Sequence, residues 1–155
     1  MQRVTNCILK SGDQMLMLKK PRRGWYVAPG GKMEPGESIK ESVVREFQEE
    51  TGLTVQTPEL KGSFTFIIRE GDRTVDEWMM FTFYSESYTG TMLEESEEGE
   101  LEWVPVDEVL NKPMAEGDRH FLHHILSTNE QVYGTFVYTP DFQLLEMDLD
   151  PTKPE

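Results

Sequence analysis

Cysteine is nearly absent from this chain: Cys7 is the only one in 155 residues, so no disulfide can form within it and a reducing cytoplasm is its expected home. Cys7 lies in the apolar run Cys7-Ile8-Leu9, which marks it as a core side chain rather than a nucleophile. Basic residues are also few, 15 against 29 acidic ones, giving a net charge of −14. A surface of that sign repels phosphates strung along a polymer, which argues against long nucleic acids as partners. There is no long apolar run at the N-terminus or beyond it, so neither a signal peptide nor a membrane span is expected. Internal repeats and low-complexity tracts are missing too. The 37% hydrophobic and 10% aromatic content that remains is enough for the core of one domain, expected over residues 1–150 with a disordered tail over 151–155.

Alternation and turn residues predict strands over 4–9 and 15–19 around Ser11-Gly12-Asp13-Gln14, and over 60–69 and 77–87 around Glu70-Gly71-Asp72-Arg73. Further strands are expected over 101–104, 132–138 and 142–149, the last two flanking Thr139-Pro140-Asp141. A short helical turn should start at Asp107, and a helix over 118–127 would bury Phe121, Leu122, Ile125 and Leu126. The best-marked helix comes earlier. Ser38 followed by Glu41 has the capping-box pattern, Ile39, Val43 and Phe47 repeat at spacing four, and Gly52 can supply the left-handed stop.

On that helix Glu46, Glu49 and Glu50 fall within about a third of the circumference, on a face other than the apolar one. Like charges at these spacings destabilise a helix by roughly 0.2–0.5 kcal/mol per pair, and the C-terminal end of the dipole disfavours anions further. A cation would offset both. All-oxygen ligands favour hard ions, Mg²⁺ or Mn²⁺, which also bind substrate phosphates. A solvated acidic helix face is the alternative.

Gly31, Glu37, Arg45, Glu46, Glu49, Glu50 and Gly52, with bulky apolar residues at Phe47 and Leu53, match every fixed position of the motif Gly-x5-Glu-x7-Arg-Glu-U-x-Glu-Glu-x-Gly-U. The chain therefore resembles the Nudix hydrolases, and Trp25 through Lys32 is similar to the strand and turn before this motif in MutT-type members. The resemblance implies an α/β fold, an α/β/α sandwich with a mixed sheet. It also implies a metal site made by Glu46, Glu49, Glu50 and the Gly30 carbonyl, with Arg45 paired to Glu37 to brace the loop. The glycines at 30 and 31 would let the backbone approach a metal or phosphate closely. Divalent cations of this kind neutralise phosphate oxygens and acidify a water for in-line attack on phosphorus. MutT-type members place a further glutamate on a later loop, here within Glu94-Glu95-Ser96-Glu97-Glu98. Glu98 is the preferred residue for this further ligand or base and Glu97 the second choice; the alternative is a solvated acidic loop.

The implied activity is cleavage of a phosphoanhydride in a nucleoside triphosphate or a nucleoside diphosphate-linked compound. Lys19, Lys20, Arg22, Arg23 and Lys32 form the densest basic group, and Arg23 and Lys32 are candidate substrate contacts. The segment 93–149 is similar to the branch acting on oxidised purine nucleotides such as 8-oxo-dGTP. Met114 then stands near that branch's base-stacking tryptophan, while Glu116 and Asp118 replace its base-reading aspartates; the alternative for Asp118 is a helix N-cap. Phe64, Phe66, Trp78, Phe81 and Phe83 could stack on a base or fill the core. His120, His123 and His124 lack a third zinc ligand and are expected at the surface or a pocket edge. Rival readings are hydrolysis of ADP-ribose, dinucleoside polyphosphates or a triphosphorylated RNA end, and a sensor that binds nucleotide without cleaving it. A monomer or homodimer is expected.

Overall fold

The computed structural model describes residues 1–128 and 130–152. Strand β1 (Gln2–Ser11) and strand β2 (Gln14–Lys19) form the expected hairpin, and β2 is followed by two short strands, β3 (Tyr26–Val27) and β4 (Gly30–Lys32). Helix α1 (Ile39–Thr51) leads into β5 (Leu53–Gln56). The long strands β6 (Glu59–Glu70) and β7 (Arg73–Ser85) turn tightly at Gly71-Asp72. After β8 (Ser87–Gly90) and β9 (Glu100–Pro105) come a 3-10 turn (Val106–Asn111), helix α2 (Glu116–Ser127) and the pair β10 (Val132–Tyr138) and β11 (Leu144–Asp150).

Among the described residues the main sheet runs β11-β10-β6-β7-β1-β2-β3, with β4 added against β1 and β9 against β2. The β1–β7 and β6–β10 pairs are parallel and the others antiparallel, so the sheet is mixed as expected. β1 and β2 are buried on both faces, which is why they read as continuous apolar runs, whereas β6 alternates between buried and half-buried positions. Cys7, Leu9 and Leu16 point to α1, where Val43 and Phe47 meet them. Ile8, Met15 and Met17 point the other way, into the cluster of Phe64, Phe66, Phe136 and Tyr138 that α2 covers with Phe121, Leu122 and Ile125. Helices on both faces complete the α/β/α sandwich.

Several expectations change. β5 and β8 pair with each other in a separate two-stranded sheet that the sequence reading missed. α2 starts at Glu116 after Ala115, so Asp118 lies in the first turn and is not its N-cap. Phe142 belongs to the β10–β11 turn, with φ of 62°, and strand pairing resumes only at Leu144. His124 lies on the buried face of α2 rather than at the surface, and burial lowers its pKa. Of the expected disordered tail, residues 153–155 lie outside the described residues; Pro151 is half-buried.

Candidate active site

The loop between β4 and α1 is tied to the helix through one guanidinium. Arg45 donates to both oxygens of Glu37 at 2.6 and 2.8 Å, to the Lys32 carbonyl at 3.2 Å, to Glu46 at 2.9 Å and to Glu49 at 3.2 Å. These bonds from Arg45, with a backbone N–H from Glu34, hold the Glu37 carboxyl at about 2, well below the usual range. α1 is positioned independently. Its capping box forms in both directions between Ser38 and Glu41, Thr5 Oγ1 meets Ser42 Oγ at 2.8 Å, and Gly52 ends the helix at φ 84°.

The two glycines of the loop are required by proximity. A Cβ at position 30 would lie 2.0 Å from the Thr5 carbonyl oxygen, and one at 31 would lie 2.1 Å from Glu46 Oε2. Neither has a positive φ, so what the site needs from them is the missing side chain and not left-handed freedom. Their absence lets β4 lie against β1, in the register Asn6↔Gly30 and Thr5↔Gly31, with the Glu46 carboxyl pressed onto the loop backbone.

Glu46, Glu49 and Glu50 line one open cleft of about 460 Å³ together with Leu93, Glu95, Ser96, Glu97 and Glu98. Leu93 N–H donates to the Thr51 carbonyl, which anchors the later loop to the end of α1, and Lys20 Nζ reaches Glu98 at 3.5 Å. Glu50 is 7% exposed, and its Oε1 has no hydrogen-bond partner. Burial raises its pKa to about 7, with Glu98 and Glu46 adding to the rise and Lys20 opposing it. A buried carboxylate oxygen without a donor, facing several other carboxylates, fits a hard divalent cation. Among the described residues no three metal-ligating side chains already converge on one point, since Arg45 holds Glu46 and Glu49.

A second concavity of about 290 Å³ is lined by Arg23, Trp25, Phe66, Trp78, Met80, Ala115, Asp118, Tyr138 and Phe142. Phe66 and Trp78 stack at 5.4 Å with 6° between their planes, and the Arg23 guanidinium sits 4.9 Å from the Trp25 ring and 5.2 Å from Phe142. This slot takes in Arg23, Asp118, Phe66 and Trp78 from the sequence candidates. It leaves out the others. Glu116 is exposed and paired with Arg119 and His120, Lys32 is exposed with its carbonyl bonded to Arg45, and Met114 is buried in the core. Phe64 and Phe83 are buried in the core, and Phe81 packs against it. Sequence reasoning singles out neither Tyr138 nor Phe142, and takes Trp25 only as part of a strand and turn. An aromatic residue directly beside a Gly- or Pro-containing turn was the available signal.

Comparison with known proteins gives the family and the fold. The NUDIX domain model matches residues 1–125. The Nudix hydrolase YvcI of Bacillus subtilis is 57% identical over 151 residues, covering 97% of this chain and 96% of that one. The crystal structure of a MutT protein from Bacillus halodurans superposes with a TM-score of 0.96 at 57% identity, covering 99% of this chain and all of that one. An 8-oxo-(d)GTP phosphatase of Mycolicibacterium smegmatis is 27% identical over 113 residues, 73% of this chain but 34% of that longer protein. The chain belongs to the Nudix family. Within it, the chain is a MutT-like Nudix hydrolase, of a family that needs divalent metal ions and acts on small nucleotide substrates. No helix among the described residues is long and apolar enough to cross a membrane.

Proposed function

We propose that this protein hydrolyses a phosphoanhydride bond of a nucleoside triphosphate, with Mg²⁺ or Mn²⁺ held by Glu46, Glu49, Glu50 and the Gly30 carbonyl, and with oxidised purine nucleotides such as 8-oxo-dGTP as the preferred substrates. The observation that carries the reading is the unpartnered Glu50 Oε1, buried at the wall of a cleft lined by six glutamates. When bound, the cations supply charge neutralisation of the phosphates and an acidified water. The chain's own groups do the rest. Arg45 and Glu37 hold the loop so that Glu46 and Glu49 keep their places on α1. Glu98, tethered by Lys20, takes the proton from the attacking water, with Glu97 as the second candidate. The aromatic slot holds the base, Asp118 reads its edge and Arg23 caps the stack, a role supported by its placement between Trp25 and Phe142. The buried single thiol is consistent with action in the cytoplasm.

Release of phosphate and pyrophosphate from 8-oxo-dGTP, dGTP, ADP-ribose and a dinucleoside polyphosphate, with and without each cation, tests the reading. Metal-dependent preference for 8-oxo-dGTP, lost by at least ~100-fold in Glu49→Gln, is expected. Preference for another compound would discard the base assignment and keep the cleft. Undiminished turnover in Glu49→Gln would remove the metal assignment, and silence across the panel with nucleotide still bound would identify a sensor.

A further inference from the structure

Two cations stand beside the carboxylates of the metal cleft, and they are held in different ways. Arg45 is locked, since its planar guanidinium bonds at once to Glu37, Glu46, Glu49 and the Lys32 carbonyl. Lys20 stands at the rim with its side chain 37% exposed, and its one ion pair among the described residues is the 3.5 Å contact to the still more exposed Glu98. Its backbone is fixed all the same. Lys20 N–H donates to the Trp25 carbonyl at 2.8 Å, and the end of the later loop packs against it, where a Cβ at Gly99 would overlap the Lys19 carbonyl oxygen and lie 3.4 Å from Lys20 Cα. The ammonium therefore swings on a flexible stem from an anchored Cα. An exposed ion pair of this kind contributes little to the fold. What Lys20 does change is the charge felt at Glu50, the buried carboxyl with an unpartnered Oε1. After burial, which raises the Glu50 pKa, Lys20 is the strongest influence and lowers it, against Glu98 and Glu46, which add to the rise.

We infer that Lys20 is a built-in counter-ion of the cleft: its ammonium offsets the mutual repulsion of Glu50 and Glu98 and competes with a divalent cation for the same two carboxylates. Arg45 cannot yield in this way without releasing the loop that it braces, whereas Lys20 gives up a single contact. A like charge beside a cation site weakens binding there, and the exposure of Lys20 makes that effect sensitive to salt. Lys20 thus limits how tightly the protein alone retains a cation, acting through the carboxylates rather than as a ligand. This inference rests on the reading of the cleft as the metal site.

Titration with Mn²⁺, read from the loss of the free ion's electron paramagnetic resonance signal, tests the role without turnover. At low ionic strength Lys20→Met is expected to bind Mn²⁺ about 3- to 10-fold more tightly than the wild type, Lys20→Arg to match the wild type, and the difference to shrink in molar salt. Thermal unfolding in the presence of a chelator gives a second readout. There Lys20→Met should lower the midpoint, and lower it less in a Glu50→Gln background, where one of the two charges it offsets is gone. Unchanged or weaker Mn²⁺ binding by Lys20→Met overturns the inference, as does an equal fall of the midpoint in both backgrounds. If the wild type binds Mn²⁺ and Glu50→Gln weakens that binding while Lys20→Met alters nothing, only the counter-ion fails; if the wild type binds no Mn²⁺, the metal site and the counter-ion fall together.

Discussion

Glu50 and Asp118 are two carboxyls whose pKa the fold raises, and each sits at the wall of a cavity. Glu50 faces other glutamates, so removing its charge should act on stability and function in opposite directions. In the presence of a chelator, Glu50→Gln is expected to raise the thermal midpoint by an amount equivalent to about 1–3 kcal/mol, while the affinity for Mn²⁺ falls at least ~10-fold. Calorimetry and metal titration check the two together, and a destabilised variant with unchanged metal affinity would contradict the role. Asp118 is raised to about 7 by burial, with only the Arg119 charge opposing. Its folded pKa lies above its unfolded one, so the stability it lends is complete below the ordinary carboxylate range and is lost as pH rises through about 7. Between pH 5 and pH 8 the wild-type midpoint should therefore fall relative to that of Asp118→Asn. Parallel profiles would show that Asp118 is solvated.

At the scale of elements, α1 is the part most fully determined by neighbours in sequence. Ser38, Glu41 and Gly52 act at separations of three or four residues or by a single backbone angle, so the reading of this helix from sequence agrees with the structure at both ends. Ser38→Ala should cost about 1 kcal/mol in denaturant unfolding without altering the metal cleft, because Arg45 still fixes the loop through Glu37. A large loss of metal affinity in that variant would mean that the cap, rather than the guanidinium, positions the glutamates. β5 and β8 were illegible because each has four residues and their pairing joins Leu53 to Gly90 and Gln56 to Ser87, which no local period announces. The start of α2 was misplaced for a similar reason. Its Gly117 N–H finds its partner in Tyr138 of a distant strand, and the usual capping residue is missing from the sequence around Glu116.

At the scale of the whole molecule, the excess of acid also guards the end of the sheet. β11 is the terminal strand of the main path, and it carries Glu146, Asp148 and Asp150 at alternate positions beside the exposed Leu145 and Met147. An approaching strand edge from a second copy would meet like charge. Replacing Glu146 and Asp148 together by Thr should produce concentration-dependent association in sedimentation, and a double variant with unchanged sedimentation would show that strand length or twist protects the edge instead. The order of apolar runs and turns in the sequence determined where most strands and both helices lie along the chain and the carboxylate face of α1, because hydrophobic period and capping act over a few residues. Only the tertiary structure decided which glutamates of the later loop share a cleft with α1, that Gly30 and Gly31 serve close approach, and that Arg23, Trp25, Trp78, Asp118, Tyr138 and Phe142 enclose one slot. Those relations join residues up to about 120 positions apart, and they arise from strand order and helix docking, which no local pattern encodes.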